Sequence, residues 1–301
     1  MNPNWDDMKV FLAVARLESL SAAGRELKVD PATVGRRVAR FEEEMGAPLF
    51  AKSPQGYALT DAGQRLLAHA ERAEQAMSGA MEELAGQAGN LSGTIRIGAP
   101  DGCANFLLPQ VCNKIAEENP DLDIQIVALP RVFNLSKREA DMAIGVSAPE
   151  ASNRLTVQKI TDYKLYLAAA RSYLIQHPRI QELKDLRGHR MIGYIPDMIF
   201  DKELDYLAEL GLDHVNLASN SVSVQFNAIR SGGGIGVVHG FAMANAPRLR
   251  KVLGDDISLT RSFYLIRHAD DRRLERMNRF AAALSEGLKA EVSRLEEGRK
   301  D

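Results

Sequence analysis

The segment 30–48, DPATVGRRVARFEEEMGAP, has the features of a helix with two unlike faces. Asp30 can accept a hydrogen bond as the N-cap, and Pro31 suits the first helical position, where no backbone N–H is needed. Gly46 favours a left-handed end, and Pro48 prevents continuation. The apolar residues recur on one side of such a helix, at Val34, Val38, Phe41 and Met45. We therefore expect a helix that begins at Pro31, buries one side and ends near Gly46.

The opposite side of this helix carries arginines. At roughly 100° per residue, Thr33, Arg36 and Arg40 lie far from the apolar stripe, whereas Arg37 lies nearer its edge. Three glutamates follow the arginines, and Glu43 is placed to pair with Arg40 one turn away. The N-terminal half of the helix is therefore the basic half.

Charge is distributed unevenly around this segment. The whole chain has 38 Lys and Arg against 40 Asp and Glu, a net charge of −2, so a surface for a polyanion must be local. Residues 1–60 hold eight basic and eight acidic side chains, but residues 21–40 hold five and two, a net of +3. With the positive end of the helix dipole, this predicts an approach to phosphates and base edges.

Further elements surround the basic helix. Ser21 is expected to cap a shorter helix, AAGRELK, which a turn of two or three residues separates from the next. An earlier helix would close the small core with Met8, Phe11, Leu12 and Ala15. LFAK and YALT flank SPQG, a hairpin that carries Lys52 and Ser53. Two helices, a tight turn and a hairpin are typical of a winged helix-turn-helix. Taken alone, RRVAR could equally be a solvated helix face.

Residues 11–63 resemble the N-terminal domain of LysR-type transcriptional regulators. The shared positions are Phe11, Ser21, Ala22, Ala23, Leu27, Thr33, Val34, Arg36, Arg37, Glu42, Gly46, Leu49, Phe50, Gly56, Leu59 and Thr60. Two positions depart from the family pattern, because Gly35 replaces a serine and Lys52 replaces an arginine. The resemblance implies a DNA-binding domain over 1–60. Its candidate DNA-binding residues are Ser21, Pro31, Thr33, Arg36, Arg37, Arg40, Lys52 and Ser53.

A long helix is expected after Thr60, followed by a glycine-rich hinge, over 61–92. Its small and apolar residues follow a heptad-like spacing, at Leu66, Ala70, Ala73, Met77, Met81 and Leu84. Such a stripe could pack on its own domain or on a second copy. The family resemblance implies the second copy, a homodimer that commonly assembles into a homotetramer. Paired helix-turn-helix units predict a near-palindromic operator with half-sites roughly 34 Å apart.

Residues 93–301 have a different pattern. Short apolar strands alternate with helical stretches, which predicts α/β units. The family resemblance implies an effector-binding domain similar to periplasmic binding proteins. In that arrangement lobe I comprises 93–161 and 267–301, and lobe II comprises 162–266. The expected fold class is thus α/β, with an all-α-type winged helix-turn-helix and a long linker helix in front of a two-lobed domain.

Ligands in such folds bind at the carboxyl ends of strands, near helix N-termini. This rule selects the candidate effector-binding residues Asp101, Gly102, Cys103, Ser147, Tyr194, Pro196, Ser221 and Ser223. A carboxylate at Asp101 would repel an anionic effector unless it is paired, so a ligand with an amine or several hydroxyls is as plausible. The serines could instead be ordinary helix caps, and Tyr194 could be a packed core residue.

Several function classes lack support in the sequence. The N-terminus is acidic, and no apolar run approaches the roughly 18 residues of a membrane span, which favours a cytoplasmic protein without a membrane partner. No metal-ligand spacing, cofactor motif or nucleophile motif is present, so we expect no metal, no cofactor and no enzyme.

Two functional interpretations remain. The first is a transcriptional regulator whose partners are double-stranded operator DNA, a small-molecule effector and further copies of the chain, with RNA polymerase as a further candidate. The second is a cytoplasmic solute-binding or redox-sensing module that uses Cys103 and Cys112. One continuous helix would hold those thiols about 13 Å apart, too far to form a disulfide.

Overall fold

The computed structural model describes residues 4–53, 56–84, 91–128, 140–149, 155–212, 214–254, 257–269, 271 and 274–298. Side chains are described for the same residues except 52, 53, 68, 72, 75 and 78–84. The chain forms two compact units, Met1–Gly89 and Asn90–Asp301. Among the described helices, none combines the length and the apolar character that crossing a bilayer requires.

The first unit begins with three helices, α1 (Trp5–Leu17), α2 (Leu20–Leu27) and α3 (Pro31–Met45). Asp30 caps α3 by accepting a hydrogen bond from the Ala32 N–H at 2.8 Å, and Gly46 ends it at φ 67°, as expected. The cap predicted at Ser21 is wrong. Ser19 caps α2 by accepting from the Ala22 N–H, so Ser21 lies exposed in the first turn.

A two-stranded wing follows, with β1 (Phe50–Ser53) antiparallel to β2 (Gly56–Leu59). Gly56 has φ 137°, and a Cβ there would lie 2.4 Å from the Glu18 carbonyl oxygen. Only glycine therefore lets the wing approach the end of α1. The core beneath contains buried apolar residues from the three helices, from the start of the wing and from the helix that follows it, namely Val10, Phe11, Leu12, Ala13, Val14, Ala23, Val34, Val38, Phe41, Leu49, Phe50 and Ala70.

The linker helix α4 spans Asp61–Leu84, and the Thr60 hydroxyl caps it by accepting from the Gly63 N–H. Ala70 is fully buried in the core of its own unit, and Leu66 packs against that core. The Ala70 side chain is therefore not available to an intermolecular stripe, whereas Leu66 is only partly buried and stays a candidate. Met77 is half exposed. The side chains of Met81 and Leu84 lie outside the described residues.

The second unit is built on a mixed sheet of nine strands. They are β3 (Gly93–Ala99), β4 (Leu122–Ala128), β5 (Met142–Gly145), β6 (Leu155–Ala170), β7 (Met191–Gly193), β8 (Leu217–Ala218), β9 (Ile235–His239), β10 (Leu249–Lys251) and β11 (Ser258–His268). Their order is β4-β3-β5-β11-β6-β9-β7-β8, with β10 also paired to β6. The short β10 was not expected from the sequence.

The sheet consists of two parallel groups joined by an antiparallel pair. Strands β4, β3 and β5 run parallel to one another, as do β9, β7 and β8. The long strands β6 and β11 pair along their length and connect the two groups. Their register shifts between Phe263 and Tyr264, close to the crossing that we expected near residue 161. We refer to the β3 side as lobe I and to the β9 side as lobe II.

Helices cover this sheet. They are α5 (Asp101–Phe106), α6 (Leu108–Glu118), α7 (Arg171–Gln176), α8 (Tyr206–Glu209), α9 (Val222–Arg230) and α10 (Glu275–Glu297). The stretch expected as one helix after residue 104 is two, because the chain breaks at Leu107. Residues Lys202–Leu204 form a 3-10 turn, which the short α8 follows.

Candidate functional site

The first candidate site is the outer face of α3. Val34, Val38 and Phe41 are buried, and Arg36 is exposed on the opposite side. Arg37 is half-buried, in keeping with its place at the edge of the stripe. Pro31 is exposed and Thr33 is partly exposed at the start of the helix. The amphipathic pattern therefore puts these candidates where a partner could contact them.

A chain of hydrogen bonds orders the first turns of α3. The Thr33 hydroxyl donates to Asp30 at 2.6 Å, and the Arg36 guanidinium donates to Thr33 at 2.9 Å. The hydrogen bond from Thr33, with that from the Ala32 N–H, lowers the pKa of Asp30. Arg36 is thus held along the basic face, and most of its five N–H donors stay available to a ligand.

Arg40 has a partner inside the protein that was not expected. Its guanidinium donates to both carboxylate oxygens of Asp7, at 2.5–2.8 Å, and Asp7 is completely buried. These bonds connect α3 to α1, and they raise the pKa of Arg40. The pairing of Arg40 with Glu43 expected from the sequence is therefore wrong. Much of the donor capacity of Arg40 is used inside the protein.

Position 35 lies between α2 and α3. A Cβ at Gly35 would lie 3.3 Å from Leu20 Cδ1, so a side chain at this position would start toward α2. Gly35 therefore favours close contact of the two helices. Lys52 and Ser53 lie on β1 opposite Tyr57 and Gly56, and their side chains are outside the described residues.

The second candidate site lies between the two lobes. The Asp101 carboxylate, at the start of α5 in lobe I, accepts from the Ser223 N–H at 2.8 Å and the Ser221 hydroxyl at 3.1 Å. Both serines lie at the start of α9 in lobe II, where Ser221 also caps the helix. The structure thus brings together three predicted residues. The two serines supply the hydrogen-bond donors that a partly buried carboxylate such as Asp101 needs.

Two other contacts join the lobes nearby. The Ser147 hydroxyl, after β5 in lobe I, donates to the Asp201 carboxylate in lobe II. Phe106 of α5 and Phe226 of α9 pack edge to face, with ring centroids 4.9 Å apart. Hydroxyl–carboxylate bonds and an aromatic contact therefore hold the cleft closed in this conformation.

A small aromatic cavity lies beside Asp101. The space open to the centre of a water molecule is about 20 Å³, enough for about one water. Its lining residues are Pro100, Asp101, Gly102, Cys103, Val146, Tyr163, Tyr194, Phe200, Leu204, Tyr206, Asn220, Val222, His239 and Phe263. Predicted residues Gly102, Cys103 and Tyr194 therefore belong to the same site as Asp101.

Three polar atoms of the cavity residues form no well-aligned hydrogen bond within the described part of the chain, namely the hydroxyls of Tyr163 and Tyr206 and Nδ1 of His239. The two phenols lie close enough that the Tyr163 hydroxyl opposes the rise in the pKa of Tyr206 that burial causes. All three residues are more than nine-tenths buried. Burial raises the pKa of both phenols and lowers that of His239 to about 4. All three groups are therefore uncharged at neutral pH. Buried polar groups without partners are uncommon, and they are found where a ligand or water binds.

Pro196 lines a different cavity, which lies within lobe II. Its volume open to water centres is about 190 Å³, and Tyr194 and Tyr206 form the wall between it and the interlobe cavity. Most other lining residues are apolar. Pro196 is therefore separated from the Asp101 site to which the sequence assigned it.

The two cysteines are buried free thiols. Burial raises the pKa of Cys112 to about 12 and that of Cys103 still further. Protonated buried thiols react poorly with oxidants. The 13 Å separation of the two thiols was based on one continuous helix, and the break at Leu107 removes that basis. Burial, and not distance, is therefore the reason to expect the thiols to be unreactive toward oxidants.

Some site residues were missed in the sequence. Asp7, Asp201, Tyr163, Tyr206 and His239 acquire their roles through contacts with residues far away in the chain. None of them lies in a motif, although the placement of His239 at the carboxyl end of a buried strand was an available signal. Within the part of the chain that is described, no group of three or more potential metal ligands was found.

Family models match both units of the chain. Residues 5–64 match the bacterial regulatory helix-turn-helix protein model of the lysR family. Residues 88–289 match the LysR substrate binding domain. Together the two matches cover nearly the whole chain.

Curated relatives and a solved structure agree with these matches. The chain is 32% identical over 148 residues to the HTH-type transcriptional regulator DgdR of Burkholderia cepacia, an alignment that covers 48% of this chain and 49% of DgdR. It is 24% identical over 246 residues to the regulator PtxR of Pseudomonas aeruginosa, covering 80% and 78%. A full-length OxyR variant from Pseudomonas aeruginosa has the same fold, with a TM-score of 0.69, 18% identity, and 96% and 98% of the chains covered. The chain belongs to the LysR family of transcriptional regulators, with a helix-turn-helix DNA-binding domain and an effector-binding domain.

Proposed function

We propose that this regulator contacts operator DNA through the N-terminal half of α3 and that a small molecule bound between its lobes alters transcription. The observation that carries the proposal is the exposed arginine face of α3, with Arg36 held by Thr33 and Asp30. Arg36 and Arg37 are the proposed contacts to base edges and phosphates. Arg40 is proposed to position α3 through Asp7, and the contacts of Ser21, Lys52 and Ser53 with DNA remain proposals.

The effector is proposed to bind at the interlobe cavity. Its support is the buried Nδ1 of His239, which lacks a partner among the described residues, together with the two buried phenols of Tyr163 and Tyr206 beside it. The hydrogen bonds between the lobes favour a closed cleft. A ligand that binds there would change the equilibrium between closed and open lobes and could thereby alter DNA binding. A coupling of about 1–3 kcal/mol between ligand and DNA would suffice.

Self-association is proposed through the second half of α4. Ala70 is buried within the chain and Leu66 is partly buried there, so the contact would centre on the part of the helix that contains Ala73 and Met77. Assembly into a tetramer and contact with RNA polymerase are further proposals that rest on the family. We also propose that the protein acts by binding and not by catalysis, on DNA in the cytoplasm.

Recovery of fragmented genomic DNA by the purified protein tests the DNA-binding role. We expect a few intergenic sites with a two-fold motif, and the affinity should fall steeply with salt. Uniform recovery of all fragments would contradict sequence-specific binding.

The enriched site then serves to test Arg36. Arg36→Ala should weaken binding by about 1–3 kcal/mol, roughly 5–150-fold, in a fluorescence anisotropy titration. Lys114→Ala is the matched control, because it removes an exposed positive charge from the other compact unit. Equal affinities of the Arg36 variant and the control would remove Arg36 from the interface.

A further inference from the structure

The N-terminus of α9 is already occupied by a carboxylate from the same chain. Free N–H groups at the start of a helix are the usual binding site for an anion. In this protein the Ser223 N–H and the Ser221 hydroxyl both donate to Asp101 Oδ2. The other oxygen, Oδ1, accepts from the Asn105 amide at 3.1 Å. Two donors that could bind an acidic ligand are therefore satisfied by Asp101.

The adjoining cavity offers no cation to an acid from the residues that the structure describes. Its described lining includes neither lysine nor arginine, and His239 is uncharged at neutral pH. Arg261 lies 5.8 Å from the Tyr206 ring centre, and it is paired with Glu203 and Glu209. Among the described lining residues, Asp101 is the one that carries a charge.

A second carboxylate lies at the same cleft. Asp201 accepts from Ser147, and its charge contributes to raising the pKa of Tyr206. Asp101 likewise acts on Tyr194. The charged residue among the described lining residues is therefore a carboxylate, and the positive charge of Arg261 beyond Tyr206 acts in the opposite direction. The polar atoms of Tyr163, Tyr206 and His239 are uncharged.

We propose that Asp101 is an internal ligand of helix α9, so that the interlobe site excludes carboxylate ligands and binds a small molecule that has no negative charge and donates hydrogen bonds. The ligand's donors bind to the phenol oxygens, the imidazole or the remaining lone pair of Asp101 Oδ1, and its apolar part packs against the aromatic walls. The proposal rests on the effector role assigned to this cavity. Because the closed cavity holds only about one water, a larger ligand enters when the lobes separate.

Chemical rescue with acetate tests the internal ligand without knowledge of the effector. Asp101→Ala vacates the start of α9, and we expect its Tm to fall by about 4–8 °C because three hydrogen bonds to the carboxylate are lost. Sodium acetate should restore at least about 2 °C of this loss relative to sodium chloride at equal ionic strength. Hydrogen exchange at residues 221–226 should slow in acetate for this variant only.

The control variants distinguish two effects of Asp101→Ala: the loss of a side chain at the start of α9 and the loss of a negative charge. Asp123→Asn removes an exposed carboxylate from β4 and should behave as the wild type. Asp101→Asn still fills the position, so it should lose stability but gain nothing from acetate. If Asp101→Ala does not fold, faster exchange at residues 221–226 in Asp101→Asn than in Asp123→Asn is the expected result, and equal exchange overturns the proposal.

Two outcomes overturn the proposal directly. One is a folded Asp101→Ala variant that does not respond to acetate. The other is a wild-type protein whose residues 221–226 gain protection from acetate or benzoate. If a carboxylate instead changes DNA binding of the wild type through this cleft, the ligand class is wrong although the regulator function stands. If acetate rescues Asp101→Ala but the wild-type protein does not bind DNA specifically, the internal-ligand proposal stands and the proposed regulator function is wrong.

Discussion

The α3 surface and the interlobe cleft are built in opposite ways. The α3 surface comes from one stretch of the chain, and its candidate contacts face outward from a buried stripe. The cleft is assembled from segments between Pro100 and Phe263, and its carboxylate accepts hydrogen bonds from neutral donors of the same chain. A surface formed by consecutive residues presents its chemistry directly. A site formed by distant segments presents only the groups that those segments leave without partners.

Among changes that test this comparison, the largest effect on the free energy of unfolding is expected from protonation of His239 in the cleft. Burial holds its pKa at about 4, against 6.5 in the unfolded chain. The unfolded state therefore takes up the proton first as the pH falls. Stability from the neutral imidazole is complete above about pH 6.5 and is lost toward pH 4, by about 2–3 kcal/mol.

Urea unfolding followed by circular dichroism at several pH values measures this loss. Trp5, the single tryptophan, reports the first unit separately by fluorescence. His239→Gln should lack this component of the pH dependence. An equal loss in the variant would mean that other groups are responsible.

The next largest effect is expected at Asp7, in the first unit. Asp7→Asn removes the charge that three hydrogen bonds from Arg40 compensate. We expect the free energy of unfolding of this unit to fall by about 1–2 kcal/mol, measured by Trp5 fluorescence. Asp6→Asn changes an exposed neighbour and serves as the control. If this variant lost DNA affinity without losing stability, the Asp7–Arg40 pair would act in DNA binding, and Arg40 would again be proposed as a DNA contact.

A smaller effect is expected at Ser147. Ser147→Ala removes one hydrogen bond between the lobes, which should cost about 1 kcal/mol. Hydrogen exchange should accelerate around residues 200–206, where Asp201 loses its partner. Ser172→Ala, at an exposed serine of lobe II, is the control. Unchanged exchange would show that this bond does not contribute to closure.

The smallest effect is expected at Gly35. Serine has a higher helix propensity than glycine, but its Cβ would press on Leu20 at 3.3 Å. These effects oppose each other, so Gly35→Ser should change stability by no more than about 0.5 kcal/mol in thermal unfolding. DNA affinity measured on the same sample then shows whether the family's serine adds a contact. A large destabilisation would mean that Leu20 cannot move.

Local signals predicted much of the first unit. Asp30 and Pro31 begin α3, Gly46 ends it, and the apolar stripe is buried as its spacing required. The cap at Ser19 was missed because Ser19 and Ser21 are chemically equivalent as caps, and only the path of the chain selects between them. The partner of Arg40 was missed for a related reason, since Asp7 lies 33 residues away.

The sequence by itself determined the family, most of the strands, and the basic face of α3, because all of these follow from residues close together in the chain. Only the tertiary structure decided that Arg40 pairs with Asp7, that Ala70 is buried within its own unit, and that Asp101 meets α9. In each case, several side chains distant in sequence compete as contact partners of the same residue. Distance, burial and the cost of an unpaired polar group settle that competition after the chain has folded.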